Sequence, residues 1–292
     1  MRVFITGASG FIGTALTRDL IAAGHQVLGL TRTDAGEAAL AALDAEPYRG
    51  DLNDLEGLKR GAAAADAVAH LAFNHDFSTY QANCDDDVRV IGALGEALAG
   101  SNRPLLVTSG TGAAPDLTED DPPAPSPRAA SEHAAQALSA KGVNAGVVRL
   151  PQVHDTSRFG LISQAVEAAM AKGVSAYVGE GANRWAASHV SDTARLYRLA
   201  LERAAPGAVY HAVAEEGVAM RDIAEAIGRR LDVPVKSIPA EEAASHFGFM
   251  AMFLGSDGRD GRATGALTRQ RLDWTPAGPG LIADLETAPA NT

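Results

Sequence analysis

The sequence predicts a doubly wound α/β fold: a parallel sheet with helices on both faces, carrying a smaller carboxyl-terminal α/β lobe. Three observations lead there. Short apolar runs alternate with segments whose apolar residues recur at helical spacing, the sign of repeated strand–helix–strand units. The first run, Val3-Phe4-Ile5, enters a turn with glycines three residues apart, Gly7, Gly10 and Gly13, and then a segment in which Ile12, Leu16 and Leu20 share one helical face. The chain of 292 residues is 46% hydrophobic, ample for a core of that size.

The glycine turn has a chemical reason. Glycine permits positive φ, lets a pyrophosphate reach the backbone, and packs the helix closely on its strand. The helix start then offers free N–H groups and partial positive charge to phosphates. Gly7, Ser9, Gly10, Phe11, Ile12 and Gly13 are therefore candidate contacts to a dinucleotide. The spacing TGxxGxxG resembles the short-chain dehydrogenase/reductase superfamily, in its extended and atypical, epimerase/dehydratase-like branches. The resemblance implies a Rossmann core of about seven strands.

Composition limits the partners. A formal charge of −11 argues against broad nucleic-acid or anionic-membrane binding. No apolar stretch is long enough to span a bilayer, and the first residues already form a core strand. Cys84 is the single cysteine, which excludes an internal disulfide and a thiolate metal cluster and fits a reducing cytoplasm. The expected ligands are a dinucleotide and a small molecule.

In order along the chain, Val27-Leu28-Gly29-Leu30 reads as the second strand. NAD-specific folds of this kind end that strand in a carboxylate for the ribose 2′-hydroxyl, whereas Thr31-Arg32-Thr33 stands here. Arg32 can neutralise a 2′-phosphate, so NADP is expected; NAD is the alternative, with Asp34 on the ribose. Residues 35–43 read as a helix. In Gly50-Asp51-Leu52-Asn53-Asp54 the resemblance places Asp51 and Leu52 beside the adenine, and Asp51 or Asn53 capping the next helix is the other reading. Residues 67–73 read as the fourth strand, with His70 packed in the core; by resemblance Leu71 and Ala72 border the adenosine ribose. His75 follows the strand's carboxyl end, where ligands of open parallel sheets bind, and is a substrate candidate.

Asp85-Asp86-Asp87 reads as a solvated turn or helix start, not a metal site. Val88, Ile91, Leu94 and Leu98 then form a helical stripe, and the resemblance implies a homodimer through this helix. Residues 103–112 read as the fifth strand. By resemblance Thr108 lies at the cofactor and Ser109 or Thr111 is the hydroxyl that polarises a substrate carbonyl, the alternative being local backbone bonding. Residues 116–127, rich in acid and proline, read as a loop at the active-site rim. The superfamily's Tyr-x-x-x-Lys should follow; Arg128-Ala129-Ala130-Ser131-Glu132 stands there, so both residues are missing. Arg128 cannot be a general acid near neutral pH, but it can hold an anionic substrate group.

Residues 143–148 read as the sixth strand. Pro151 and Val153 match the superfamily segment that passes the nicotinamide, and His154 is the leading substitute proton donor, with a structural or substrate-contact role as the alternative. A helix over 161–172 opens the smaller lobe. Arg184 and Trp185, before His189-Val190-Ser191-Asp192, resemble the extended-family GxGxxxR…HVxD pattern; they read as anionic-substrate contacts or as a packed Trp beside a snorkelling Arg. Helices at 193–202 and 221–228, strands at 210–213 and 235–238, an apolar stretch at 248–253, a flexible one at 255–265 and a terminal element at 272–276 complete the reading. The expected domains are a dinucleotide-binding core, 1–155, and a mainly substrate-binding lobe, 156–292, with 186–215 returning to the core. The expected activity is NADP-dependent hydride transfer to or from a small carbonyl, alcohol or imine through an atypical proton relay. A catalytically silent NAD(P)-sensing protein, or an isomerase or lyase, are the alternatives.

Overall fold

The strands are β1 (Arg2–Thr6), β2 (Gln26–Thr31), β3 (Glu46–Arg49), β4 (Ala67–His70), β5 (Leu105–Gly110), β6 (Ala145–Leu150), β7 (Gln152–Asp155), β8 (Arg158–Phe159), β9 (Ser175–Val178), β10 (Arg184–His189), β11 (Val209–His211), β12 (Glu215–Ala219) and β13 (Val235–Ile238). The helices are α1 (Phe11–Ala22), α2 (Asp34–Ala41), α3 (Leu55–Ala63), α4 (Tyr80–Leu98), α5 (Ala129–Ala140), α6 (Ile162–Lys172), α7 (Val190–Arg203), α8 (Met220–Leu231), α9 (Ala243–Phe247), α10 (Ala266–Leu272) and α11 (Leu281–Thr287). They come from a computed structural model, which describes residues 1–251 and 260–289.

The central sheet has seven parallel strands in the order β11-β6-β5-β4-β1-β2-β3. The chain winds one way from β1 through β2 and β3, then returns to β4 on the other side. The crevice between the carboxyl ends of β1 and β4 is the topological switch point, where such sheets bind ligands. Side chains alternate across β1: Val3 and Ile5 enter one core with Leu16, Leu20, Tyr197 and Trp274, while Phe4 enters the other with Leu28, Leu58, Ile91 and Leu94. Both faces are buried, which is why these strands read as continuous apolar runs.

A second, mixed sheet runs β12-β10-β7-β8, and β13 pairs in parallel with β9. These elements enclose a separate core built from Ile162, Val166, Trp185, Ile223, Ile227, Leu281 and Leu285. α7 and β11 pack in the first core; β10 and β12 stay in the second sheet. Leu272 and Trp274 are an unforeseen further return, for both are buried in the first core.

Several boundaries differ from the sequence reading. β4 ends at His70, so Leu71, Ala72 and Phe73 have already left the sheet. α5 starts at Ala129, one residue past Arg128, after a turn in which Ala129 N donates to Ser126 O. In the stretch read as flexible, residues 255–259 lie outside the described residues, as do 252–253 of the apolar stretch. Gly261 and Ala263 are held by bridges to Trp185 and Leu117. α4 and α5 pack together, and Gln81, Asp85, Arg89 and Glu96 are exposed along α4, the helix named for a dimer, as are His133 and Gln136 along α5. Among the described residues no helix is long and apolar enough to cross a membrane.

Candidate active site at the switch point

The glycine bend is built as a cradle. Gly7 has φ +74°, and a Cβ there would come within 2.9 Å of Ala72 N. At Gly13 a Cβ would lie 2.0 Å from Gly7 O, so only glycine lets α1 approach β1 this closely. Gly10 N donates to Gly7 O at 2.9 Å and Gly10 stands at the cap of α1 with no side-chain cap, leaving the helix's first N–H groups to an external acceptor. Ser9 and Gly10 are exposed; Phe11 and Ile12 are half-buried. Behind the bend, Leu71 N donates to Thr6 O and Ala72 N to Thr6 Oγ1, which fixes the segment after β4 against Gly7. These residues fit a dinucleotide pyrophosphate.

At the end of β2, Arg32 is exposed and forms no hydrogen bond or ion pair with the described residues. The competing carboxylate is occupied: Arg49 NH1 lies 2.7 Å from Asp34 Oδ1 and 3.0 Å from Glu37 Oε1. Asp51 Oδ1 accepts from Asn53 N at 2.7 Å, and Leu52 is half-buried beside it. Neither Asp51 nor Asn53 caps α3. That role falls to Asp54, whose Oδ1 accepts from Gly57 N at 2.8 Å.

The largest departure from expectation lies beneath the site. Asp87, read as solvated, is 4% exposed on the inner face of α4, and Asp85 and Asp86 alone face solvent. His70 Nε2 lies 3.0 Å from Asp87 Oδ1, while Arg128 NH1 and Ser131 Oγ each donate to Asp87 Oδ2 at 2.7 Å. His70 Nδ1 continues to Thr6 Oγ1 at 2.6 Å, so the network runs from the glycine bend to α5. Burial pushes the Asp87 carboxyl up, but His70, Arg128 and Ser131 together hold it below the usual carboxylate range. Arg128 NH2 also donates to Thr108 O at 2.9 Å, and its guanidinium lies 3.9 Å over the Phe73 ring. Thr108 is buried, its hydroxyl donating to His70 O at 2.7 Å with the Tyr197 hydroxyl at the same distance.

This geometry corrects the placement of the missing pair. Glu132 cannot stand in the lysine's place, because it is fully buried away from the crevice, with Oε2 2.9 Å from NH2 of the buried Arg149. Arg128, one turn earlier, is the cation at the carboxyl ends of β4 and β5. Tyr-x-x-x-Lys spacing then puts Ala124 where the tyrosine would be; Ala124 is buried, and a Cβ on Gly112 would lie 2.6 Å from its own. No phenol occupies that place.

The remaining candidates divide. Ser109 and Thr111 are both buried at the end of β5; the Thr111 hydroxyl reaches the Leu150 carbonyl at 3.5 Å, the local bonding kept as the alternative. Pro151 is half-buried and Val153 buried on β7. His154 does not meet the needs of a proton donor to substrate: it is 0% exposed, and its Nδ1 is 2.7 Å from Asp284 Oδ2. Burial lowers its pKa below the ordinary histidine value despite that carboxylate. Trp185 is buried in the second core, and Arg184 turns to solvent and to Gly217 O, so the pair does not converge on the crevice. His75 is exposed beyond β4, amid Phe73, Phe77 and Tyr80.

Sequence signals for the missed residues existed. Asp87 shares a helical face with Ile91, Leu94 and Leu98, so it lies on the buried stripe. Arg149 sits in an apolar strand run and needed a buried anion.

The chain matches the model of the NAD dependent epimerase/dehydratase family over residues 3–214. It is 45% identical to an uncharacterized protein of Schizosaccharomyces pombe over 98% of both chains. It is 30% identical to the 2-alkyl-3-oxoalkanoate reductase of Stenotrophomonas maltophilia over 71% of this chain and 67% of that one. Among solved structures, the UDP-Glc/GlcNAc 4-epimerase of Campylobacter jejuni superposes with a TM-score of 0.79 at 19% identity, over 98% and 97% of the two chains. With a glycine cradle at the switch point of a seven-stranded sheet, and these likenesses, the chain is an NAD(P)-dependent oxidoreductase-type enzyme and belongs to the NAD dependent epimerase/dehydratase family.

Proposed function

We propose that the protein is an NADP-dependent oxidoreductase that transfers a hydride to or from a small carbonyl, alcohol or imine substrate. The observation that carries the cofactor preference is the charge arrangement after β2: Arg32 is unengaged among the described residues, while Asp34 and Glu37, which would repel a 2′-phosphate, are drawn to Arg49. Gly7, Gly10 and Gly13 would hold the pyrophosphate, and Ala72 and Thr108 would border the nucleoside. The dinucleotide supplies the hydride chemistry when bound. The protein's part is to orient the substrate in the crevice and exclude water, which alone accounts for much of a rate enhancement. Reduction of a 3-oxo group, named for the Stenotrophomonas relative, supports a carbonyl substrate.

Calorimetry tests the cofactor preference. NADPH should bind at least about tenfold more tightly than NADH, as one lost charge-assisted phosphate contact implies, and Arg32→Ala should remove the difference. Equal affinities in the parent protein contradict it. A panel of ketones, aldehydes, imines and alcohols, followed at the reduced-nicotinamide absorbance, tests turnover. Ala124 in the tyrosine's place favours a second reading, a dinucleotide-sensing protein without turnover, and silence across the panel with dinucleotide binding intact would select it.

A further inference from the structure

We propose that His75 exchanges the proton with the substrate oxygen, in the role the absent tyrosine leaves open. The proposal rests on the oxidoreductase reading above. Its position follows from the backbone: Leu71 and Ala72 are fixed against the glycine bend through Thr6 and Gly7, and His75 stands three residues further along the same segment, past the carboxyl end of β4. Its ring is ordered by its neighbours. Phe73 meets it edge to face with centroids 5.2 Å apart, Phe77 stands at 6.1 Å, and Tyr80 closes the shelf at 6.2 Å from Phe73 and 5.7 Å from Phe77. Arg128 covers the Phe73 ring, with its guanidinium 3.9 Å from the ring centre. The aromatic shelf gives the ring an apolar flank, while the exposure of His75 lets it trade protons with water.

The other titratable groups near these strand ends are disqualified by their contacts. His70 is fully buried between Thr6 and Asp87, and His154 is fully buried on Asp284. Asp87 is held ionised by Arg128 and His70. Burial raises the Tyr80 phenol and the Cys84 thiol, so neither is a base near neutral pH.

The step balances as follows. In alcohol oxidation the substrate O–H bond breaks and its proton bonds to the free imidazole nitrogen, while the carbon gives its hydride to the oxidised nicotinamide dinucleotide and the C=O bond forms. The imidazolium then returns the proton to water. Carbonyl reduction is the reverse, with the imidazolium donating. The charged group that acts on the ring is Arg128 of the α5 turn; the neighbouring Asp76 carboxylate turns away onto Ser78. Burial among the rings, and then the Arg128 charge, lower the His75 pKa below the ordinary value. At pH 7 the ring is therefore mainly neutral, a base. Oxidation should rise with pH through that lowered pKa, and reduction should fall through it.

Nuclear magnetic resonance of the histidine rings tests this without turnover, the His75 signal being assigned by its loss in His75→Gln. The expected result is a ring that titrates below pH 6.5 and whose shifts and titration move when NADP⁺ or NADPH is added. His75→Gln should bind both dinucleotides within about twofold of the parent, since the groups proposed to hold the phosphates are the glycine bend and Arg32. Dinucleotide binding that leaves the His75 signal and titration unchanged overturns the proposal and spares the oxidoreductase reading. Absence of any dinucleotide binding overturns that reading first. On a substrate turned over by the parent, His75→Gln should lower kcat/KM about 100-fold and abolish its pH limb; an unchanged pH profile overturns the proposal.

Discussion

At the scale of single residues, two positions admit almost no change. A Cβ on Gly13 would meet the carbonyl oxygen of Gly7 at 2.0 Å, a backbone atom that cannot swing aside. Gly13→Ala should weaken dinucleotide binding at least about tenfold, measured by calorimetry, and cost about 1–3 kcal/mol of stability as α1 is pushed off β1. Glu132 and Arg149 are each 1% exposed and joined through three donor contacts, and Arg149 also serves the Thr118 and Asp121 carbonyls. Glu132→Ala strands a buried guanidinium and should cost about 3–5 kcal/mol in urea unfolding. Glu132→Gln keeps an acceptor and should cost less. Gly13 was legible in the sequence because its spacing to Gly7 and Gly10 is local. Glu132 was not: its partner is 17 residues away on a strand, and only a fold brings the two together.

At the scale of elements, what was legible follows periodicity. The apolar runs of β1, β2, β5 and β6 and the stripes of α1, α4 and α6 were visible because burial on two faces, or on one, imprints a pattern. β10 and β12 were less so, since their mixed sheet packs Trp185 and Val218 inward among polar neighbours. The network joining β1, β4, α4 and α5 was invisible for another reason. His70 is 17 residues from Asp87, and Asp87 is 41 from Arg128, so no window of sequence contains it. It also explains why Arg128 is a fixed part of the crevice wall: the guanidinium is bound on Asp87, Ser131 and Thr108 O before any ligand arrives.

At the scale of the whole molecule, the buried ionisable groups set the response to acid. His154 and His211 are fully buried with pKa values lowered chiefly by burial. The unfolded chain therefore binds their protons first, so their contribution is fully present above about pH 6.5 and declines as pH falls through their lower folded values. Asp87 adds a second loss. Its folded pKa is lowered, so its contribution is complete above about pH 3.9 and vanishes as pH falls through the folded value. Thermal midpoints followed from pH 8 downward should fall in two stages; Asp87→Asn, less stable at neutral pH, should flatten the lower one. A single-stage profile in the parent would contradict the assignment.

The indole of Trp274 is 1% exposed, its Nε1 donating to the Asp192 carbonyl, in a core whose other walls are β1, α1 and α7. During synthesis that side of the sheet stays unfilled until Trp274 has emerged from the ribosome, long after β1 and α1. Until then the nascent nucleotide-binding half carries an open greasy notch, the kind of transiently bare apolar surface on which chaperones act.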